Sequence, residues 1–327
     1  GGAAVAAGGH KMLFKTPGLN GYSVRFSPYL ERRVAVATAQ NFGIIGNGRQ
    51  HVLEMAPNGQ LVQVAAFDTT DGLYDCCWAE SNEHVLVSAS GDGSVKVWDL
   101  AAPPNLNPIR SFEEHGHEVY AVNWNLVRRD CFLSASWDDT VKLWDLQSPG
   151  SVRTFAEHTY CVYAASWSPA HGEVFASASG DCTVKVWDLR QPGSSQTFRA
   201  HDFEVLALDW CKYSDFVLAT GSVDKTVRVW DIRAPGRPMA TLAGHTYAVR
   251  RVVFSPHHES VLGSCSYDMT VRQWDYRNPA QPCLQTWGHH SEFAVGLDCS
   301  VLVDGLWAST GWDESTFVWK LGMDPRA

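Results

Sequence analysis

The sequence VLVSASGDGSVKVWD, at residues 85–99, predicts a β-hairpin. Apolar and polar residues alternate in its two arms, 85–90 and 94–98, as they do in strands with one buried face. The tripeptide Gly-Asp-Gly at 91–93 lies between the arms and is typical of a tight turn. The second arm ends in the pair Trp98-Asp99, and this ending recurs along the chain.

The recurrence has a nearly constant spacing. Trp-Asp pairs, followed by one Trp-Lys pair, occur at steps of 46, 43, 43, 44 and 45 residues, beginning at Trp98, Trp144, Trp187, Trp230, Trp274 and Trp319. A step of 45 residues back from Trp98 reaches Leu53, which marks a degenerate first copy. The chain therefore contains seven copies of one unit, and such a period indicates a repeat architecture.

Other residues keep register with these tryptophans. Six positions earlier stands an acid or its amide: Asn47, Asp92, Asp138, Asp181, Asp224, Asp268 and Asp313. Two positions before most of these acids is a serine: Ser90, Ser136, Ser179, Ser222 and Ser266. A histidine opens most units: His115, His158, His201, His245 and His290. An enzyme needs a catalytic Ser-His-Asp set once, whereas this set recurs, so we interpret it as a structural hydrogen-bond network and predict no enzyme activity.

Four short strands in a unit of this length match one blade of a β-propeller. The sequence resembles the WD40-repeat proteins over nearly its whole length, and we predict an all-β fold, a seven-bladed WD40 β-propeller. Only eight residues follow Trp319, so we expect an N-terminal strand at Leu13-Phe14 to complete the last blade and close the ring. We predict a single propeller over 12–327 and a flexible leader over 1–11.

Composition and motifs exclude several functional classes. The 327 residues are 45% hydrophobic with a net charge of −9, which is globular and unsuited to binding a phosphate backbone. No apolar run is long enough to span a membrane, so we expect neither nucleic acid nor direct membrane insertion. Neighbouring histidines such as His257-His258 point to opposite faces of a strand, and no cysteines lie at zinc spacing. We predict no metal site and no cofactor.

A binding face is expected where the repeat leaves columns of variable residues. These columns lie three and five residues after the repeat histidine and directly before the turn aspartate. They contain aromatic and acidic side chains at one end of the propeller: Glu118, Tyr120, Trp137, Glu204, Tyr267, Phe293 and Trp312. Partly exposed aromatics are frequent interface hot spots, although these side chains can also merely pack on neighbouring blades.

Negative charge is concentrated beside this face. Residues 68–118 contain ten acids against Lys96 and Arg110. Of these acids, Asp71, Asp75 and Glu118 map beside strand starts that rim the predicted face. An acidic rim next to aromatics suits an amphipathic helix that carries Arg or Lys.

Several longer stretches go beyond the generic repeat. They are FSP at 26–28, AQNFGI at 39–44, SWDDTVKLW at 136–144, HTYAVRR at 245–251, SCSYD at 264–268, HHSEFAVGLD at 289–298 and GMDPRA at 322–327. With these stretches the chain resembles, from about Met12 onward, the peroxin-seven family of soluble receptors for the type-2 peroxisomal targeting signal, in a plant- or alga-like version.

This resemblance implies a function and a set of partners. The cargo is expected to be peroxisomal matrix proteins with an N-terminal type-2 signal helix, in which an Arg pairs with Glu118, Asp71 and Asp75. The long form of the type-1 signal receptor is expected as a co-receptor, and a peroxisomal docking complex as a later partner. The receptor is expected in the cytosol, cycling to the peroxisome membrane and matrix.

Two other functions remain open from the sequence. Trp187-Asp188-Leu189-Arg190, Trp230-Asp231-Ile232-Arg233 and Trp274-Asp275-Tyr276-Arg277 fit a W-D-x-R pattern that resembles substrate adaptors of cullin-4 ubiquitin ligases. A generic WD40 scaffold is the second alternative.

Overall fold

The computed structural model describes residues 11–321 and contains 28 strands in this range. The predicted leader therefore lies outside the described residues except for Lys11, and so does the stretch at 322–327. In chain order the strands are β1 Met12–Lys15, β2 Asn20–Phe26, β3 Arg33–Ala39, β4 Gly48–Met55, β5 Leu61–Thr69, β6 Leu73–Trp78, β7 Val85–Ser90, β8 Val95–Asp99, β9 Arg110–Phe112, β10 Val119–Trp124, β11 Cys131–Ser136, β12 Val141–Asp145, β13 Arg153–Phe155 and β14 Val162–Trp167.

The remaining strands continue the same alternation. They are β15 Val174–Ser179, β16 Thr183–Asp188, β17 Ser194–Arg199, β18 Val205–Trp210, β19 Val217–Ser222, β20 Val227–Asp231, β21 Ala240–Leu242, β22 Val249–Phe254, β23 Val261–Ser266, β24 Val271–Asp275, β25 Cys283–Trp287, β26 Ala294–Cys299, β27 Leu306–Gly311 and β28 Ser315–Lys320. Two short 3-10 turns, Asn41–Gly43 and Pro104–Leu106, lie between strands.

The strands form seven four-stranded antiparallel sheets, which are the blades. Blade 1 is β2 to β5, blade 2 is β6 to β9, and blades 3 to 6 each take the next four strands, which leaves β26 to β28 for blade 7. The first strands of neighbouring blades contact each other, so they line the central channel. The seven-bladed all-β propeller predicted from the Trp-Asp spacing is confirmed.

Blade 7 combines both parts of the chain. Its strand order is β1, β28, β27 and β26, and Met12 in β1 pairs with Val318 in β28. Phe14 packs against the buried cluster that blade 7 shares with blade 1, which contains Leu53 and Val318. Closure by the N-terminal strand is therefore confirmed, and the pairing covers the outer side of β28.

The core lies between adjacent blades. In blade 4, Phe175 and Trp187 are buried and stack with ring centroids 5.9 Å apart, in a cluster shared with blade 3. Because alternate residues of each strand face the next blade, every sheet buries both of its faces. Burial of a large aromatic side chain contributes roughly 1.5–3 kcal/mol, so the repeated tryptophans contribute strongly to the stability of the ring.

The predicted hydrogen-bond network is present in five blades, with one correction. In blade 4, His158 Nδ1 lies 2.7 Å from Asp181 Oδ2, and His158 Nε2 lies 2.7 Å from Ser177 Oγ. The Trp187 indole N–H donates to the same Ser177 oxygen at 2.9 Å. The network serine is thus Ser177, whereas Ser179, two residues later, accepts the backbone N–H of Asp181 and shapes the turn. Equivalent His-Asp pairs occur in blades 3, 5, 6 and 7.

Candidate functional site

The candidate site lies at one end of the central channel, which we call the mouth. Here each blade begins its first strand, and the turns between its second and third strands reach the same end. The structure brings Tyr120, Trp137, Tyr267, Phe293 and Trp312 together at this end, as the sequence predicts.

The aromatic side chains form one continuous cluster across blades 6, 7, 1, 2, 3 and 4. Successive ring centroids lie 4.5 Å (Tyr267–Phe293), 4.9 Å (Phe293–Trp312), 6.0 Å (Trp312–Tyr22), 5.0 Å (Tyr22–Tyr74), 5.2 Å (Tyr74–Tyr120) and 5.1 Å (Tyr120–Trp137) apart. We call this set, with Tyr163 and Phe42, the aromatic cluster. Its rim members Tyr120, Trp137, Tyr267, Phe293 and Trp312 are half-buried, so they pack on neighbouring blades and also present a surface.

A loop of blade 1, residues 40–47, covers one side of the aromatic cluster. The Tyr22 hydroxyl donates to the Phe42 carbonyl oxygen at 2.6 Å, and the Tyr74 hydroxyl donates to the Gly43 carbonyl oxygen at 2.7 Å. A Cβ at Gly43 would lie 2.5 Å from the Tyr22 hydroxyl oxygen, so this close approach requires glycine. The loop is therefore fixed to the mouth by two buried tyrosines.

The same loop holds strained backbone and exposed apolar side chains. Asn41 and Phe42 have φ values of 47° and 58°, which non-glycine residues seldom adopt. Such strain is often found at functional sites. Ile44 and Ile45 are 84% and 72% exposed. Sequence reasoning did not select these two isoleucines, although two apolar residues between Gly43 and Gly46 were a visible signal.

Three carboxylates stand beside the aromatic cluster without ion-pair partners in the part of the chain that the structure describes. They are Asp71, Glu118 and Glu204, and each is half-buried. Burial raises the pKa of Tyr74, and the nearby charges of Asp71 and Glu118 raise it further. Burial and the nearby Glu204 likewise raise the pKa of Tyr163. The three carboxylates therefore lie close to the rings and are free to bind a cation.

Asp75 requires a correction. The prediction placed it at the rim, but its side chain is completely buried inside the channel wall. Ser23 Oγ donates to it at 2.7 Å and the Val122 N–H donates to it at 3.0 Å, while the guanidinium groups of Arg25 and Arg251 lie 3.5 and 3.3 Å away. The physical reason is register: Asp75 lies two residues inside β6, below the mouth. Its partners are internal, so we omit it from the proposed ligand contacts.

A second set of mouth residues was also missed. Tyr160, Phe203 and Tyr247 each stand two residues after a repeat histidine, on blades 4 to 6. They are 53%, 55% and 61% exposed, more than any member of the aromatic cluster. The signal was an aromatic column in the sequence that the selected columns did not include. We call these three residues the outer ring.

The described residues offer nothing else that resembles a reaction centre. Within 11–321, no group of three or more His, Cys, Asp or Glu residues is arranged to hold a metal ion. No helix in that range has the length and hydrophobicity that crossing a membrane requires. The histidines and aspartates with short contacts belong to the blade networks.

Comparison with known proteins agrees with this geometry. Five segments match the family described as WD domain, G-beta repeat: 57–99, 106–145, 150–188, 193–231 and 236–275. Peroxisome biogenesis protein 7 of Arabidopsis thaliana is 64% identical over 316 residues, which are 96% of this chain and 99% of that protein. The chain belongs to the peroxisome biogenesis protein 7 family of WD40-repeat proteins.

Further members of the peroxisome biogenesis protein 7 family match over shorter segments. The peroxisomal targeting signal 2 receptor of Dictyostelium discoideum is 57% identical over 35% of each chain, and that of Homo sapiens is 46% identical over 38% of each chain. The WD40 β-propeller domain of Doa1 is similar in fold, with a TM-score of 0.80 and 20% identity over 94% of this chain and 95% of that one. The family is one of non-enzymatic receptors and scaffolds, as the sequence predicts.

The W-D-x-R arginines have partners of their own. Arg190 and Arg233 each pair at 2.7 Å with the aspartate two residues earlier, Asp188 and Asp231. Arg277 instead pairs with Glu259 at 2.6 Å. All three arginines are exposed on the outside of the ring, far from the mouth. Nothing in this geometry favours the cullin-4 adaptor function over the mouth as the binding site.

Proposed function

We propose that this protein is a receptor for the type-2 targeting signal of peroxisomal matrix proteins and binds that signal as an amphipathic helix at the mouth. The observation that carries the proposal is the position of three unpaired carboxylates beside an aromatic cluster that spans six blades. The relatives named as peroxisomal targeting signal 2 receptors support it independently.

The chemistry of the mouth fits a helix with one basic and one apolar face. Apolar residues three and four positions apart lie on one face of a helix, and aromatic surfaces such as Trp137 and Trp312 can bury that face. A basic residue beside this stripe would reach Glu118 and Asp71. Aromatic contact supplies affinity, and the charge pairs fix orientation and partner choice.

The position of the acids gives the bound helix a direction. Asp71, Glu118 and Glu204 belong to blades 2, 3 and 5, whereas Trp312, Phe293 and the isoleucines of the loop at 40–47 belong to blades 7 and 1. The arginine of the signal therefore lies over the acidic side of the mouth, and the apolar residues of the helix extend over blades 7 and 1.

The partners and the route follow from the same function. We infer that the long form of the type-1 signal receptor acts as co-receptor and closes over the bound helix, with the outer ring as its contact. Cargo then passes from the cytosol through a docking complex to the peroxisome, and the receptor returns. Tyr160, Phe203 and Tyr247 lie beside the mouth on blades 4 to 6 and are more exposed than the aromatic cluster. Exposed apolar groups of this kind suit contact with a second partner.

A charge reversal at Glu118 tests the binding mode. Removal of one partner from a buried charge pair costs about 2–5 kcal/mol, so we expect Glu118→Lys to weaken signal-peptide binding at least ~30-fold. Fluorescence anisotropy with a labelled type-2 signal peptide measures this, with and without the co-receptor. A peptide with its arginine changed to alanine should lose affinity for the wild type but little for the variant.

Glu31→Lys is the matched control. Glu31 is an exposed glutamate between β2 and β3, at the opposite end of the propeller, and its substitution changes net charge by the same amount. The control should bind like the wild type. Near-wild-type binding by Glu118→Lys would refute the proposed site, whereas co-purification of a cullin adaptor with a protein that ignores the peptide would favour the alternative function.

A further inference from the structure

Below the mouth, the central channel contains a buried group of charged side chains that the proposed function does not use. A cavity of about 190 Å³ is lined by first strands of the blades and includes Arg25, Asp75, Arg250, Arg251 and Asp298. Asp75 accepts both Arg25 and Arg251, as described above. The cavity continues towards the far end of the channel, where Leu126 and Val301 are exposed.

Arg250 differs from its two arginine neighbours because it has no carboxylate partner among residues 11–321. Arg250 is only 2% exposed, and its Nε and Nη2 nitrogens are buried with no hydrogen-bond acceptor in that range. The Nε nitrogen of Arg251 is likewise buried without a hydrogen-bond acceptor among residues 11–321. A buried guanidinium whose N–H groups lack acceptors is unfavourable, so this site calls for an acceptor of negative charge.

The geometry determines from which side an acceptor can approach. The Tyr120 ring covers one face of the Arg250 guanidinium, with the carbon of the group 4.6 Å from the ring centroid. This contact is a cation–π interaction, which is attractive but supplies no hydrogen-bond acceptor. Because Tyr120 belongs to the aromatic cluster, it closes Arg250 from the mouth. Access remains from the cavity below.

The charges around this part of the cavity do not balance. Arg25, Arg250 and Arg251 face the two carboxylates of Asp75 and Asp298. Lys212 and Asp209, further down the channel, pair with each other at 2.9 Å. Glu80 also lines the cavity, so its acids and bases are equal in number overall, but next to Arg250 three guanidinium groups face two carboxylates.

We propose that the channel binds a small monovalent anion, a halide or a short carboxylate, at the Arg250 guanidinium. The anion accepts hydrogen bonds from the buried N–H groups and pairs with a guanidinium that has no carboxylate partner among residues 11–321, so it stabilises the channel where side chains of blades 1, 2 and 6 meet. It also fixes the Tyr120 ring from below, which connects the anion to the shape of the mouth. The proposal of an anion site does not depend on the proposed receptor function.

Thermal unfolding at constant ionic strength tests this site. Sodium gluconate, whose bulky anion serves as the reference, is replaced stepwise by chloride, bromide or formate. A ligand at 100 times its dissociation constant stabilises a native protein, and we expect the melting temperature to rise by about 4 °C with saturation. Arg250→Met should abolish the rise, and Arg237→Met, at an exposed arginine, should retain it. An equal rise in Arg250→Met, or none in the wild type, overturns the proposal.

A second measurement does not depend on the variant folding. Crystals of the wild-type protein grown in bromide should show an anomalous peak within about 3.5 Å of the Arg250 guanidinium, a normal distance for a halide beside N–H donors. Bromide peaks on the protein surface alone, with none in the channel, would mean that the cavity holds water and would overturn the proposal.

Discussion

Blades 4 and 1 have the same four-stranded sheet but different polar interiors. Blade 4 contains the full network of His158, Asp181, Ser177 and Trp187, and a three-residue turn joins its second and third strands. The polar side chains of this network contact one another within the blade. Such a turn has little left to offer a ligand.

Blade 1 lacks most of this network. Leu53 replaces the tryptophan, and the buried histidine of this blade, His51 on β4, lies outside the repeat-histidine column and contacts neutral partners, Thr38 at 3.1 Å and Gln63 at 2.7 Å. Asn47, in the aspartate column, is exposed and lies in the loop at 40–47 that carries Ile44. The difference shows that a blade can form without the repeat residues, and that the turn between its second and third strands can then be a longer, exposed loop.

The largest effect should come from the aspartate column. We expect Asp181→Ala to lower the free energy of unfolding by about 3–5 kcal/mol, because it leaves His158 buried without its partner. Asn47→Ala, the equivalent change in blade 1, should cost less than about 0.5 kcal/mol, as exposed positions do. Urea denaturation of both variants measures the difference. Equal losses would contradict the comparison of the two blades.

Acid should affect the two blades in different ranges of pH. Burial lowers the pKa of His51 to about 4, from a usual 6.5, so the unfolded chain binds this proton more tightly than the folded one. The stability that depends on neutral His51 is complete above pH 6.5 and is lost as the pH falls towards 4. Despite burial, hydrogen bonds from His158 and Thr183 hold the pKa of Asp181 below its usual value, so its contribution is lost only below about pH 4.

A variant that cannot titrate isolates the blade 1 effect. Between pH 7.5 and pH 5, we expect His51 to account for about 2 kcal/mol of the fall in unfolding free energy. His51→Gln should remove that part of the pH dependence, although its stability at pH 7.5 will be lower. Urea denaturation at both pH values is the measurement, and an unchanged slope in the variant would show that His51 is not the responsible group.

The fold was predictable from the sequence because each copy of the repeat carries the same pattern of strands and turns. Trp-Asp pairs at a constant spacing specify a blade even where one copy, at Leu53, is degenerate. The network serine was misplaced by two residues because residues two apart on a strand share a face, so Ser177 and Ser179 fit the same pattern. The contacts of Ser177 with His158 and Trp187 distinguish the two serines.

The candidate site was less predictable because it depends on contacts between blades. The aromatic columns selected rings that come together at the mouth, since each column has one position in every blade. Asp75 was misjudged because its partners, Arg25 and Arg251, come from blades 1 and 6 and are distant in sequence. Residues 40–44 of the loop belong to no column, and the position of the loop over the mouth depends on Tyr22 and Tyr74, which only the structure shows.

The smallest effect tests whether the relaxed loop of blade 1 contributes to binding. Ile44 is exposed and held beside the aromatic cluster, so a helix seated at the mouth would bury much of its side chain. Burying an isoleucine contributes about 1.5–3 kcal/mol when complete, and we expect Ile44→Ser to weaken signal-peptide binding about 10-fold. Its unfolding free energy should stay within about 0.5 kcal/mol of the wild type, because an exposed side chain loses no packing.

Val152→Ser is the control for this variant. Val152 is an exposed aliphatic residue that precedes the outer strand of blade 3, away from the mouth, and it should leave peptide affinity unchanged. If Ile44→Ser also binds normally while Glu118→Lys does not, the signal helix lies over the acidic side of the mouth alone. The strained loop would then serve to hold Tyr22 and Tyr74 in place rather than to contact cargo.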